Sequence, residues 1–310
     1  MVCAIAEPTY LALADFAPAT DGDDAVRAGG ARVARLAVGP GLLAERLLET
    51  RAAFDSVAPD YDGPRGNNQL IQDMRAEMWR WLDRTIARAS DLLDLGCGTG
   101  LDAVRLARRG HRVTATDYSP AMVERTRERA AREGVIGRVR PLTLGAHELA
   151  GLAGHDLFDA AYSNLGALNC VPDLRATARE CARLLRPGGA LVFTVIGRIC
   201  PWELGYYIAH GNWARARVRF ARGAVPVGMN GGTVWTRYYS AREFYCEFEQ
   251  EFRLAHFRGL CTFAPPPYLT LLRQRRPRLY ERLWQLDRRM AGWPLMRALG
   301  DHFLMVMAKR

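Results

Sequence analysis

Gly96, Gly98 and Gly100 alternate with Cys97 and Thr99 directly after an apolar run, Leu92 to Leu95, that carries Asp94, and a second β-type run ends in Asp117. Glycines at this spacing permit a tight turn whose backbone can closely approach a ligand. An ionised carboxylate such as Asp117 has two oxygens, enough to accept from two neighbouring hydroxyls. Together they describe a pocket for a nucleotide-like molecule. The flanking residues name the elements that must position it. Leu92, Leu93 and Leu95 read as the end of a buried parallel strand, residues 101–109 as the helix leaving the turn, and residues 111–117 as the next strand. A dinucleotide fingerprint would put its third glycine at the position of Leu101, so a different ligand is favoured. The plainer alternative is an ordinary βα turn beside a helix-capping Asp.

At LLDLGCGTG and HRVTATDYS the sequence resembles the class I, Rossmann-like methyltransferases that use S-adenosylmethionine (SAM). The resemblance implies that the turn (Asp94, Gly96, Cys97, Gly98, Gly100) borders the methionine part of the cofactor and that Asp117 holds both ribose hydroxyls. It also implies that Tyr118, Ser119 and Met122 pack near the adenosine, although Met122 reads equally well as core. Ser163 and Asn164 end the fourth strand, where ligands of open α/β sheets bind. RAAFDSVAPDYDG, residues 51–63, resembles the opening of small-molecule enzymes of the ubiquinone/menaquinone type, a segment that folds over the cofactor and carries an aromatic residue, here Tyr61. The same residues suit a helix cap and turn. One position departs from the family. Many relatives have an Asp where Gly145 stands, to accept from the adenine amino group, so backbone groups of Ala146 and His147, or nearby Glu148, would have to substitute.

Apolar residues at helical spacing predict an amphipathic helix over 69–89, and Ser119 with Pro120 predicts a capped helix start. Further strands are expected at 139–145, 157–163, 191–197, 252–260 and 301–309, with a PGG turn at 187–189. The fold implied is α/β: a doubly wound, seven-stranded Rossmann-like sheet with its last strand antiparallel. An α-helical cap insertion is expected at 198–236, after the fifth strand, and a helical insertion at 265–300. Residues 1–48 lack sustained periodicity and are expected to form a loosely ordered extension before a methyltransferase domain at 49–310.

With 310 residues, 49% of them hydrophobic, the chain can bury a full core. No apolar run approaches the roughly 20 residues of a membrane span. Seven cysteines form no CxxC pair, and no His/Cys cluster has metal-ligand spacing, so a reduced, cytoplasmic protein without a metal is expected. The net charge of +10 arises after residue 196, where 19 basic residues face 8 acidic ones. A solvated surface explains this as well as an anionic partner does, and a nucleic-acid partner is not expected. Neither the N/D-P-P-aromatic motif of DNA amino methyltransferases nor the Pro-Cys of cytosine C5 enzymes follows the fourth strand, and the acids that hold Mg²⁺ in catechol-type enzymes are lacking. Within the cap, Trp202, Tyr206, Tyr207 and Trp213 are the candidate acceptor-binding residues and His210 and Glu203 the candidate bases. Trp202, Tyr206 and Trp213 are spaced as one packed helix face would be. The expected reaction is metal-independent methyl transfer from SAM to oxygen or carbon of a small aromatic or apolar metabolite. The alternatives are an RNA- or ribosome-modifying methyltransferase and a catalytically silent SAM-binding scaffold, and a homodimer is left open.

Overall fold

A computed structural model describes residues 39–310, except 65, 153, 155 and 156. Strands β1 (Asp91–Leu95), β2 (Arg112–Asp117), β3 (Val139–Thr143), β4 (Phe158–Ser163) and β5 (Leu185–Ile196) run parallel. A hairpin, β6 (Val225–Met229) and β7 (Gly232–Thr236), stands apart from them. With β8 (Phe252–Leu260) and β9 (His302–Lys309) the main sheet has seven strands in the order β3-β2-β1-β4-β5-β9-β8, and β9 is antiparallel to both its neighbours. The seven strands and the antiparallel last one agree with the expectation from sequence.

Both faces of the sheet are covered, which is why its central strands are apolar almost without alternation. Leu93 and Leu95 pack in one buried cluster with Phe193 and Phe244, whereas Leu92 packs in the other with Met78, Val104 and Tyr162. The covering helices are α2 (Gln69–Thr85), α3 (Leu101–Arg108), α4 (Pro120–Arg132) and α5 (Leu174–Leu184), joined later in the chain by α8 (Ala241–Phe248), while α1 (Pro40–Val57) packs on the hairpin and α4. Side chains cap several of them. Asn68 accepts from the backbone N–H groups of Leu70 and Ile71, Ser119 from that of Met122, and Ser240 forms a reciprocal box with Glu243.

Two sequence expectations need correction. The insertion after β5 is only partly helical: α6 (Pro201–Ala209) and α7 (Trp213–Arg217) lead into the β6–β7 hairpin. The boundary at residue 48 falls inside α1, so 40–48 belong to the folded domain; residues 1–38 lie outside the described residues. The 265–300 segment contains α9 (Leu271–Arg275) and α10 (Pro277–Met290). Asp287 of α10 accepts from three successive backbone N–H groups, Thr262, Phe263 and Ala264, at 2.8, 3.2 and 2.6 Å. No helix among the described residues is long and apolar enough to cross a membrane.

Candidate cofactor and acceptor site

Strand order reverses between β1 and β4, and in open α/β sheets a ligand crevice lies beyond the strand ends at such a point. A cavity of about 290 Å³ is found there. Its floor is the glycine turn, with φ of +81°, +53° and +80° at Gly96, Gly98 and Gly100, a region closed to most side chains. At Gly96 a Cβ would stand 2.4 Å from that of Ala167. At Gly98 the nearest atom is the Tyr61 ring, 4.0 Å away, so the missing side chain leaves cavity space instead.

Asp117 holds this turn in place. Its Oδ2 accepts from Gly98 N–H at 2.8 Å and its Oδ1 from Ser119 N–H at 2.9 Å, which leaves lone-pair positions on both oxygens. Burial pushes its carboxyl up to about 6, against the pull of these N–H bonds. At neutral pH it is therefore an ionised, under-coordinated acceptor in the cavity wall.

A second polar group comes from α2. Arg75, 8% exposed, pairs with Asp102 at the start of α3, and Asp102 also accepts from Trp79 Nε1 at 2.6 Å and Asn164 Nδ2 at 3.1 Å. Arg75 Nε has no partner among the described residues, leaving a buried donor in the wall. Two carboxylates strap the segment from α1 to Tyr61 across the mouth. Asp55 accepts from Ser119 Oγ and from Ala121 N–H, and Asp62 accepts from Thr99 Oγ1 at 2.8 Å and pairs with Arg129. The remaining wall is largely apolar, with Thr50 and Arg51 of α1 and Thr236 of the hairpin among its polar members. Val227, Met229 and Val234 of the hairpin meet Leu47 and Phe54 of α1, and the Trp235 N–H donates to Thr50 Oγ1 at 3.0 Å, joining hairpin to helix.

Of the cofactor residues expected from sequence, Tyr61, Gly96, Cys97, Gly98, Asp117, Tyr118, Ser119, Met122, Ala146, His147 and Asn164 line this cavity. Asp94, Gly100 and Ser163 stand behind it. Asp94 accepts from Tyr162 Oη at 2.9 Å, Ser163 Oγ donates to the Leu95 carbonyl at 2.7 Å, and Gly100 is pressed against Thr126.

None of the six cap residues lines the cavity. Trp202 donates through Nε1 to the Phe263 carbonyl at 3.0 Å, and Glu203 is engaged by Arg219 and Tyr268. Tyr206, Tyr207 and His210 contact one another at the far side of α6, where His210 Nδ1 lies 2.8 Å from the Tyr206 carbonyl, and Trp213 is 55% exposed. The inner face of α6 is spent on the buried Glu203 cluster and on Trp202, so Tyr206 turns outward. In that cluster Cys200, Glu203 and Asp301 have potential metal ligands close together, but the Arg219 guanidinium bonds both carboxylates, at 2.5 and 2.6 Å.

Sequence reading passed over Arg75, Asp102 and the hairpin. Arg75 had a signal, a cation beside Met74 on the buried stripe of an amphipathic helix. The hairpin had a stronger one: Asn230-Gly231, φ +48° and +82°, between apolar runs is a two-residue turn with both central residues left-handed.

Residues 92–189 match a family described as a methyltransferase domain. A ubiquinone biosynthesis O-methyltransferase of Methylocella silvestris is 30% identical over 213 residues, covering 63% of this chain and 77% of that protein. Its counterpart in Alkalilimnicola ehrlichii is 33% identical over 149 residues, covering 47% of this chain and 59% of the relative's length. In fold, the chain is similar to the CcbJ methyltransferase from Streptomyces caelestis, with a TM-score of 0.57 at 18% identity over 84% of this chain and 98% of that one.

Proposed function

Because the chain belongs to the class I SAM-dependent methyltransferases, we propose that it transfers the methyl group of SAM to oxygen or carbon of a small, apolar or aromatic acceptor. The observation that carries this reading is the single cavity that runs from Gly98 and Asp117 to the apolar wall shared by α1 and the β6–β7 hairpin. Its residues fit the cofactor. Gly98 leaves a cradle that any Cβ would fill, Asp117 has lone pairs for a diol, and Arg75 Nε is a buried donor suited to a carboxylate.

SAM supplies a methyl group already activated on a sulfonium sulfur. The chain's own part is alignment and exclusion of water, and such positioning is worth up to about 7–11 kcal/mol in favourable intramolecular models. Asp117 would accept from the ribose hydroxyls, the 96–98 backbone and Arg75 would hold the amino-acid end, and the hairpin and α1 close the other end with largely apolar side chains. Asp102 and Asp117 are the only carboxylates in the described lining, and both are engaged; the only imidazole is His147. His210 and Glu203 lie outside the lining, so the base role expected for them is not carried forward.

The test begins with calorimetric titration of SAM, then offers isotopically labelled SAM with fractionated small-molecule extract and asks which compound gains one methyl group. Tight SAM binding without methylation in any fraction would favour a silent scaffold. Label entering RNA instead would favour the nucleic-acid reading.

A further inference from the structure

Away from the cavity, four arginines gather where α2, β8 and α10 meet. Arg80 and Arg84 stand one turn apart on α2, on the face that also carries Glu77 and Trp81. From β8, Arg258 reaches both helices, donating to Glu77 Oε1 at 2.6 Å and to the Asp287 carbonyl at 2.7 Å, and Arg288 follows Asp287 on α10. The cations repel one another. Arg80 is pushed down to about 10, by burial first and then by Arg288, Arg258 and Arg84. Burial lowers Arg258 too, with Arg288 and Arg84 adding to it and Asp287 opposing.

The two carboxylates beside them are already shared. Glu77 is bonded by Arg258 and contacted by Arg80, and Asp287 accepts from the backbone N–H groups of Thr262, Phe263 and Ala264. Four guanidinium groups against two carboxylates leave a formal excess of two positive charges. Beneath them the Trp81 and His256 rings stack, 3.7 Å between centroids at 19°, with the Arg84 guanidinium 5.2 Å over the indole. Trp81 Nε1, His256 Nε2 and Arg258 Nε are buried without a hydrogen-bond partner among the described residues. A buried polar atom left unpaired is costly, and an anion supplies the acceptor that indole, imidazole and guanidinium N–H groups need.

We propose that this seam is a phosphate-binding site, in which the Arg84 and Arg288 side chains close over a phosphate group while Arg258 and the stacked Trp81 and His256 rings form its base. Guanidinium forks match phosphate oxygens in pairs, and a phosphate monoester carries about −1.5 to −2 near neutral pH, enough to offset the excess. Arg84 and Arg288 are exposed, so their ends can admit the ion before closing on it. None of the four arginines, nor Trp81 nor His256, lines the cofactor cavity. The site is separate from the methyl-transfer reading and does not depend on it.

Calorimetric titration of the whole protein tests this with glycerol 3-phosphate, a soluble phosphate monoester, and with dihexanoyl phosphatidic acid, the same group on a soluble lipid. Saturable binding is expected. Equal affinity for the two would identify a free phosphate compound as the source, and at least tenfold tighter lipid binding a lipid headgroup. Arg84→Gln and Arg288→Gln should each weaken binding by about tenfold or more, as loss of a charge-assisted bond to an anion does. Arg278→Gln and Arg282→Gln remove the same charge from earlier exposed positions of α10 and should change it by less than about twofold. The bound ligand should also raise the pKa of His256, followed by NMR of ring-labelled histidine and assigned with His256→Gln, because an adjacent anion favours the charged imidazole. Absence of saturable binding to either compound overturns the proposal. So does an equal loss in the Arg278 and Arg282 variants, which would reduce binding to general attraction by a basic surface, and so does a His256 titration that ignores the ligand.

Discussion

On the reading proposed above Asp117 holds the ribose, and its ionisation gives cofactor binding a pH dependence of definite sign. Its pKa in the fold, about 6, lies above the ordinary carboxylate value because burial disfavours the charge. In the free protein this contribution supports the fold at low pH and is lost as pH rises through about 6. The complex behaves oppositely, since only the ionised form offers acceptors to two hydroxyls. SAM affinity should thus fall as pH is lowered from about 7.5 to about 5, and Asp117→Asn should flatten the profile. Comparing wild type with Asp117→Asn isolates Asp117 from His147, which also lines the cavity. Asp117→Ala removes two hydrogen bonds to a charged acceptor, worth at most about 1.5–3 kcal/mol each, and should weaken SAM by tenfold or more. Unchanged affinity by calorimetry would overturn the ribose assignment. His210→Ala should leave SAM affinity and turnover within about twofold, as surface changes away from a site do; a hundredfold loss of turnover would restore it as a base. The contrast explains what was readable at this scale. Glycine spacing and a strand-ending acid constrain the backbone directly, so Gly98 and Asp117 could be placed from sequence. The order of residues on α6 does not reveal which way the helix faces, and Glu203, bonded inward to Arg219, turns Tyr206 and His210 away from the cavity.

Two elements far apart in sequence, α1 and the β6–β7 hairpin, close the cavity, and each carries a sequence signal. The 51–63 segment resembles a cover that carries an aromatic residue and equally suits a helix cap and turn; α1 and Tyr61 contribute to the cavity wall. The helix start was missed because α1 shows almost no amphipathic bias: Leu42 and Leu48 are exposed, and it is held by polar straps more than by an apolar stripe. The hairpin was missed for another reason. Aromatic and Arg-rich neighbours suggested a helix throughout, and the Asn230-Gly231 turn signal went unused. The straps make a kinetic prediction. Asp62→Ala deletes the link from the cover to Thr99 and Arg129, and losing hydrogen bonds of this kind, at about 0.5–1.5 kcal/mol net, should speed cofactor release by roughly two- to tenfold. Stopped-flow displacement would detect this. A release rate identical to wild type would mean that the cover does not open along this edge.

At the scale of the molecule, the seven-stranded order was legible because each strand carried its own apolar run and turn, and family resemblance supplied the order that no single run contains. The domain boundary was not. Deleting residues 1–48 removes Leu47 from the cavity wall and half of α1, leaving a stub too short to hold helical form unaided. The shortened chain should melt roughly 2–8 °C lower and bind SAM more weakly; equal melting temperature and affinity would show that this half of α1 is dispensable. The C-terminal excess of arginine also looks different in three dimensions, since Arg219 and Arg258 serve the buried carboxylates of Glu203 with Asp301 and of Glu77, and Arg198 pairs with the more exposed Glu243. The position of β9 has a consequence for biosynthesis. It follows every other strand in sequence yet lies between β5 and β8, so on the ribosome β5 emerges about a hundred residues before the partner on its open side. At about 5–20 residues per second the nascent chain presents an unpaired apolar edge, with Phe193 and Val195 on it, for several seconds. The yield of folded protein in a cell is then governed by what shields that edge during translation, and a mutation that leaves the finished fold untouched but slows synthesis before residue 302 would lower it.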